Sequence, residues 1–362
     1  MIESAGFDFS RTYNGLRVLV TGHTGFKGTW LSTWLLKLGA ELSGISLDPS
    51  ARPNMFEATG LAHRMKSLIV DVRRQQELRA AVAEVAPTIV LHLAAQSLVR
   101  QSYADPIETF ETNVLGTANL LEACRDIDSV RAVVCVTTDK VYFNREWDWP
   151  YRENDRLGGL DPYSASKACA ELVASVYQRN LNQHRPNLKT ATARGGNVVG
   201  GGDWSVDRIV PDIVRALAAG QPLQLRNPNA VRPWQHVLEL CEAYLELGAR
   251  LAAGEAVDEA WNFGPRRPNE VPVKTLVRAT LGVWGRPDWP VAVEISPLHE
   301  AQLLRLDISK ALARLAWRPR LNIDQTLKWT AEWYQAFYAK AGDPWELTCR
   351  QIDAFNALRG AS

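Results

Sequence analysis

Between Thr137 and Lys167 the chain gathers side chains able to move protons: Thr138, Asp139 and Lys140 in succession, then Tyr163 and Lys167 four residues apart. A tyrosine hydroxyl with a pKa near ~10 is a poor base at neutral pH, and a lysine one helical turn away favours its phenolate by Coulomb attraction. Lowering that pKa to ~7 takes a shift of roughly 3 units, about 4 kcal/mol, within reach of a partly desolvated cation. Tyr163 can then accept a proton from a substrate hydroxyl, and Asp139 stands nearby as a second proton-transfer group.

The surrounding sequence predicts the elements that hold these groups. The apolar run Ala132–Val136 reads as a buried strand, which puts Thr137, Thr138, Asp139 and Lys140 at its carboxyl end, where open α/β sheets place their ligands. Asp161-Pro162 reads as the cap and first turn of a helix running to about Arg179, with Tyr163 and Lys167 on one face. Further upstream, the strand Leu16–Thr21 runs into Gly22-His23-Thr24-Gly25-Phe26-Lys27-Gly28 and then a helix from Thr29 to Leu38. Strand, glycine turn and helix in that order form a pyrophosphate cradle, because glycines let the backbone approach and helix-start N–H groups stabilise the anion.

A second strand, Glu41–Leu47, ends in Asp48, placed to accept hydrogen bonds from a ribose 2′-hydroxyl and to repel a 2′-phosphate. That favours NAD over NADP, with Arg52 nearby as the opposing signal. A third strand, Leu68–Asp71, brings Asp71 and Val72 toward an adenine. After a helix at Gln75–Val85, a fourth strand, Thr88–His92, ends in Leu93-Ala94-Ala95-Gln96-Ser97, whose small residues let a flat cofactor lie against the backbone. A helix over Ile107–Cys124 carries Asn113, which either faces solvent or points inward to organise the site. With a nicotinamide beside Tyr163, proton removal from a sugar hydroxyl accompanies hydride loss from the same carbon.

This alternation predicts an α/β, Rossmann-type doubly wound parallel sheet with a smaller α/β substrate-binding lobe. Residues 1–194 form the expected NAD-binding domain with the catalytic residues. Residues 195–362 form mainly a substrate-binding lobe, with the chain free to cross back. At 362 residues, 46% hydrophobic and 22% charged, the chain has the composition of a globular protein. Lys plus Arg (41) balance Asp plus Glu (40), so no global field favours nucleic acid or a membrane surface, and anionic ligands must be met by local arginines. No run approaches the ~18 to 20 apolar residues of a membrane span. Met1–Asn14 lacks the apolar core of a secretion signal. The five scattered cysteines read as reduced thiols of a cytoplasmic protein, and the six histidines form no metal-spaced cluster.

Gly22-x-x-Gly25-x-x-Gly28, Asp71, Leu93-Ala94-Ala95-Gln96, Asn113 and Tyr163-Ser-Ala-Ser-Lys167 together resemble the extended short-chain dehydrogenase/reductase family over nearly the whole chain. The Thr138-Asp139 pair is similar to its nucleotide-sugar 4,6-dehydratase branch rather than to the epimerases. Lys140, where most of that branch has a glutamate, resembles the members acting on CDP-glucose. So do His23, Lys27, Arg194-Gly-Gly-Asn197, Gly202-Asp203-Trp204 and Arg232-Pro-Trp-Gln-His236.

The resemblance implies NAD as cofactor, CDP-glucose as substrate, and C4 oxidation, loss of the C6 hydroxyl as water, and hydride return to C6. Thr138 would hold the C4 oxygen and a protonated Asp139 would donate to the departing hydroxyl. Lys140 would take the C5 proton, or only position Asp139 while another group or water takes it. Thr24, Phe26 and Thr137 would join the cofactor contacts, and Gln96, Ser97, Asn197, Arg208, Arg232 and Arg305 the substrate contacts. A homodimer or higher homo-oligomer through the helices carrying Asn113 and Tyr163 is implied as well. The alternatives are a dehydratase or epimerase for another nucleotide-sugar, or an NAD-sensing module. The last would be expected to have lost Tyr163, Lys167 or Asp139, and all three are present.

Past residue 200 the alternation thins, and nine of the thirteen tryptophans lie there. A helix is expected over Val206–Ala219, and Asp307 is expected to cap one over Ile308–Leu315. Asp343-Pro344 would open a terminal helix whose apolar stripe, Trp345, Cys349, Ile352, Phe355 and Leu358, packs onto the lobe.

Overall fold

The computed structural model describes residues 8–49, 51–293 and 303–360. Eleven strands precede residue 263: β1 (Arg17–Thr21), β2 (Glu41–Ser46), β3 (Lys66–Ile69), β4 (Ile89–His92), β5 (Ala132–Val136), β6 (Lys189–Arg194), β7 (Val198–Val199), β8 (Leu223–Leu225), β9 (Val231–Pro233), β10 (Gln235–His236) and β11 (Ala260–Asn262). Seven form one parallel sheet in the order β11-β6-β5-β4-β1-β2-β3. The strand order reverses at β1, which opens a crevice at the carboxyl ends of β1 and β4. β4 and β5 are buried along their whole length, as expected for parallel strands covered by helices on both faces.

The glycine turn forms as the spacing predicts. Gly22 has φ +75, and a Cβ there would lie 2.8 Å from the Ala94 nitrogen; one on Gly28 would meet the Gly22 carbonyl oxygen at 2.0 Å. Only glycine lets β1, the turn and the Phe26–Lys37 helix come this close. That helix buries Trp30, Leu31, Trp34 and Leu35 in the main core.

Several boundaries move. The third strand spans Lys66–Ile69 rather than Leu68–Asp71, because the chain turns at Asp71, whose carboxylate accepts from the Arg73 nitrogen. The predicted Ile107–Cys124 helix is Pro106–Phe110, a π turn at Glu111–Leu115, and Gly116–Arg125. The π turn carries Asn113 inward. The helix expected from Val206 starts at Ile209, with Arg208 as its cap residue. Asp307 does not cap its helix, which begins at Ser309 after Ile308; its carboxylate accepts from the Ser309 nitrogen at 2.8 Å in a local turn. His299 and Glu300 lie outside the described residues.

Past residue 195, the Val237–Ala252 helix packs on β4, β5 and β6, and β11 extends the sheet beside β6. What stands apart is built from β8, β9, Val291–Val293, Glu270–Pro272 and the helices Ile209–Ala219 and Val273–Val283, with their own core of Ile213, Leu223, Val277 and Leu281. In the Pro344–Gly360 helix, Ile352 and Phe355 are buried, and Phe355 meets Trp34 edge-on at 5.7 Å.

Candidate active site

β5 ends at the floor of a cleft of ≈ 870 Å³. Thr138 caps a single 3-10 turn, Asp139–Val141, with its Oγ1 accepting from the Lys140 nitrogen at 3.3 Å and donating to Asp139 Oδ1 at 2.9 Å. Asp139 is buried against backbone: a Cβ on Gly196 would sit 2.1 Å from its Cγ. Asn197 holds a left-handed conformation, φ 49, and its Nδ2 donates to Asp139 Oδ2 at 3.2 Å. Gln235 fixes that unusual loop by donating from its backbone to the Asn197 carbonyl and from Nε2 to the Gly196 carbonyl.

Tyr163 enters from the Pro162–His184 helix, whose first turn is held by the Asp161 carboxylate accepting from the Ser164 nitrogen. One turn on, Lys167 Nζ donates to the Val136 carbonyl at 2.9 Å, tying the helix to the end of β5. Burial pushes the phenol of Tyr163 up to about 12; the Thr138 hydroxyl and the Arg208 charge pull the other way. Burial also brings the Lys167 ammonium down to about 8. Among the protein's own groups, loss of solvation outweighs the charges that favour the phenolate, and the expected shift counts on the positive charge of a nicotinamide as well.

Every expected cofactor residue except Asn113 lies on the wall of this cleft: Gly22, Thr24, Gly25, Phe26 and Gly28 from the turn, Asp48 after β2, Asp71 and Val72 after β3, Leu93, Ala94 and Ala95 after β4, and Thr137 with Tyr163 and Lys167. The fit for a dinucleotide rests on the glycine turn, whose close packing at Gly22 and Gly28 brings bare backbone and the start of the Phe26–Lys37 helix onto the cleft wall. Asp71 is already clasped by Arg73, whose Nη2 lies 2.7 Å from its carboxylate. Asn113 is buried behind the wall, accepting from the Gln96 nitrogen at 2.9 Å and donating to the Ser166 hydroxyl at 2.9 Å. It braces the wall.

Gln96, Ser97, Asn197, Arg208 and Arg232 line the other end. Arg208 donates to the Ser97 hydroxyl at 3.1 Å, bridging the two walls. Arg305 is not among the residues lining the cleft; it pairs with Glu270 at 2.7 Å, on the strand Glu270–Pro272. Sequence reasoning overlooked Arg226, which does line the cleft and pairs with Asp207 at 2.8 Å. It also treated Lys27 only as a marker. Lys27 lines the cleft beside Asp139 and Lys167, and burial with the nearby Arg208 and Lys167 charges brings it down to about 8.

Behind β5 lies a second overlooked group. Glu171 accepts from the hydroxyls of Thr137 and Thr192 and from Arg194 Nη2, while Arg194 Nη1 donates to Tyr142 Oη and the Glu153 carbonyl. Glu171 lies four residues after Lys167 and eight after Tyr163, on the same helical stripe, which is the sequence signal that could have found it.

Comparison with known proteins agrees with this geometry. The family model described as GDP-mannose 4,6 dehydratase matches residues 19–330. A CDP-glucose 4,6-dehydratase of Salmonella typhimurium is 47% identical over 90% of this chain and 92% of its own. A dTDP-glucose 4,6-dehydratase of Streptomyces venezuelae, crystallised with NAD, superposes with a TM-score of 0.78 at 27% identity, covering 90% of this chain and 98% of that one. A UDP-glucose 4-epimerase of Thermotoga maritima gives the same TM-score at 22% identity, covering 89% and 99%, a likeness of fold.

Proposed function

The chain belongs to the GDP-mannose 4,6 dehydratase family within the extended short-chain dehydrogenases/reductases, and on that premise we propose that it converts CDP-glucose to CDP-4-keto-6-deoxyglucose and water. It is an NAD-dependent hydro-lyase acting on a nucleotide-sugar. The observation that carries the reading is Asp139, a buried acid at the end of β5 within reach of the Thr138 hydroxyl and beside Tyr163, which supplies a proton donor that a simple dehydrogenation does not need.

NAD, held at the glycine turn and Asp48, would supply reversible hydride transfer between C4 and C6. Tyr163 accepts the C4 hydroxyl proton, with Lys167 held on the Val136 carbonyl to favour the phenolate. Thr138 orients the C4 oxygen, and Asp139 protonates the departing C6 hydroxyl. Lys140 follows Asp139 on the same turn, lines the cleft and takes the C5 proton. Arg208, Arg232 and Arg226 face the diphosphate with charge-assisted hydrogen bonds. Asp48 takes the ribose hydroxyls of NAD. The homodimer expected of this family would use the helices around Asn113 and Tyr163, supported by Ile107, Leu115, Leu172 and Val176, all more than half exposed on them.

Incubation with CDP-, dTDP-, UDP- and GDP-glucose, followed by alkaline absorbance of the 4-ketosugar, tests the substrate; turnover of another nucleotide's sugar in preference to CDP-glucose refutes it. Lys140→Met should still form the 4-keto intermediate while solvent exchange at C5 stops. Exchange at the wild-type rate would move the C5 role to another group.

A further inference from the structure

We propose that the Thr138 hydroxyl is a proton relay that returns the proton collected by Tyr163 to Asp139 within each turnover. The inference rests on the dehydratase reading and follows from its bookkeeping. Oxidation at C4 breaks the O–H bond and leaves that proton on Tyr163, converting phenolate to phenol. In the elimination, the C5–H bond breaks and its proton goes to the base; the C6–O bond breaks, and the leaving hydroxyl takes the Asp139 proton to become water. The hydride taken from C4 is restored at C6 and the base returns its proton to C5. Electrons therefore balance, and the base is regenerated. Two groups are not: Tyr163 ends with one proton too many and Asp139 with one too few.

The geometry closes this gap without solvent. Thr138 Oγ1 already donates to Asp139 Oδ1 at 2.9 Å and accepts from the Lys140 nitrogen. The Tyr163 phenol lines the cleft beside this hydroxyl, which favours its phenolate. A proton passed from Tyr163 to Thr138, as the hydroxyl proton of Thr138 passes to Asp139, restores both groups in one concerted shift. Asp139 is 1% exposed and Tyr163 8%, with Gly196 packed against the carboxylate, so direct exchange with bulk water is the poorer route. Asn197 holds the other carboxylate oxygen, which leaves Oδ1 as the atom that receives the proton.

The test compares the first turnover with the steady state in the NAD-loaded enzyme given CDP-glucose, following reduced-nicotinamide absorbance and 4-ketosugar. Thr138→Val should slow the steady state roughly tenfold or more beyond its effect on the first turnover, and small buffer acids such as formic acid should accelerate it. Thr138→Ser, which keeps the hydroxyl, should bring the two rates back together and show no buffer dependence. Equal slowing of both phases in Thr138→Val, or buffer dependence in Thr138→Ser, would overturn the relay while leaving the dehydratase reading standing. An absent nicotinamide transient in the wild-type protein would instead overturn that reading, and the relay with it.

Discussion

Two groups of buried carboxylates lie on opposite sides of β5 and β6, and they are treated differently. Glu171, beneath the catalytic strand, is held below the usual carboxylate range: burial alone would raise it, but Arg194 and the hydroxyls of Thr137 and Thr192 outweigh that. Glu239, Glu242 and Glu246, on the Val237–Ala252 helix, are all raised, with burial the largest cause in each. Glu239 reaches about 8; its Oε1 accepts from the nitrogens of Arg320 and Leu321, while its Oε2 has no partner. Glu242 meets Arg320 at 3.0 Å and Arg359 at 2.8 Å, which latches two C-terminal segments onto the helix. Both oxygens of Glu171 are paired where the position of catalytic groups depends on it, because Thr137 and the Val136 carbonyl that holds Lys167 both belong to that strand end. The latch needs only to hold, and protonation does part of the work.

The most direct way to break this contrast is Arg194→Met, which leaves Glu171 charged and buried with one donor fewer. A loss of about 3–5 kcal/mol in denaturant-measured stability is expected, with a fall in kcat in the protein that remains folded. Unchanged kcat would show that the ion pair stabilises without positioning. Glu242→Gln, the counterpart on the other side, should lower stability by about 1–3 kcal/mol through its two arginines. Its kcat should change little, because Arg320 and Arg359, the partners it holds, are not among the residues lining the cleft.

How much of this was legible in the sequence follows the same division. The strand, glycine turn and tyrosine helix could be read because each is local: a few adjacent residues fix backbone, cap and face. Thr138 and Asp139 were found for the same reason. Asn113 was left between solvent and the interior because a continuous helix pattern does not choose its face; the π turn carries it inward to Gln96 and Ser166. Arg305 was grouped with the other arginines by motif alone, and its partner Glu270 lies on a strand that pairs with β9, a contact no spacing encodes. Arg226 was missed because its neighbours in space, Asp207 and Asp212, come from an earlier loop and from the first turn of the Ile209–Ala219 helix. The return of the chain to the sheet at β11 was left open, since three residues give too short a pattern to assign.

Thr137→Val probes the paired side more gently. It removes one donor from Glu171 and keeps the strand shape, so stability should fall by about 1–2 kcal/mol. A few-fold drop in kcat with little change in KM would show that the network's geometry reaches Thr138.

The smallest expected effect is the one that separates the two sides by sign. Glu171, lowered in the fold, contributes stability that is present above its ordinary value of 4.5 and lost as pH falls. Glu239 does the reverse: raised to about 8, it contributes stability that is complete below 4.5 and lost as pH rises through 8. Glu239→Gln keeps an acceptor for the nitrogens of Arg320 and Leu321 but cannot ionise. Its melting temperature should match the wild type near pH 5 and exceed it by roughly 2 °C or more near pH 8.5, where the native carboxyl is forced to charge. A constant offset at both pH values would mean that the glutamate is ionised in the fold throughout, and that the latch is as fully paired as the catalytic side.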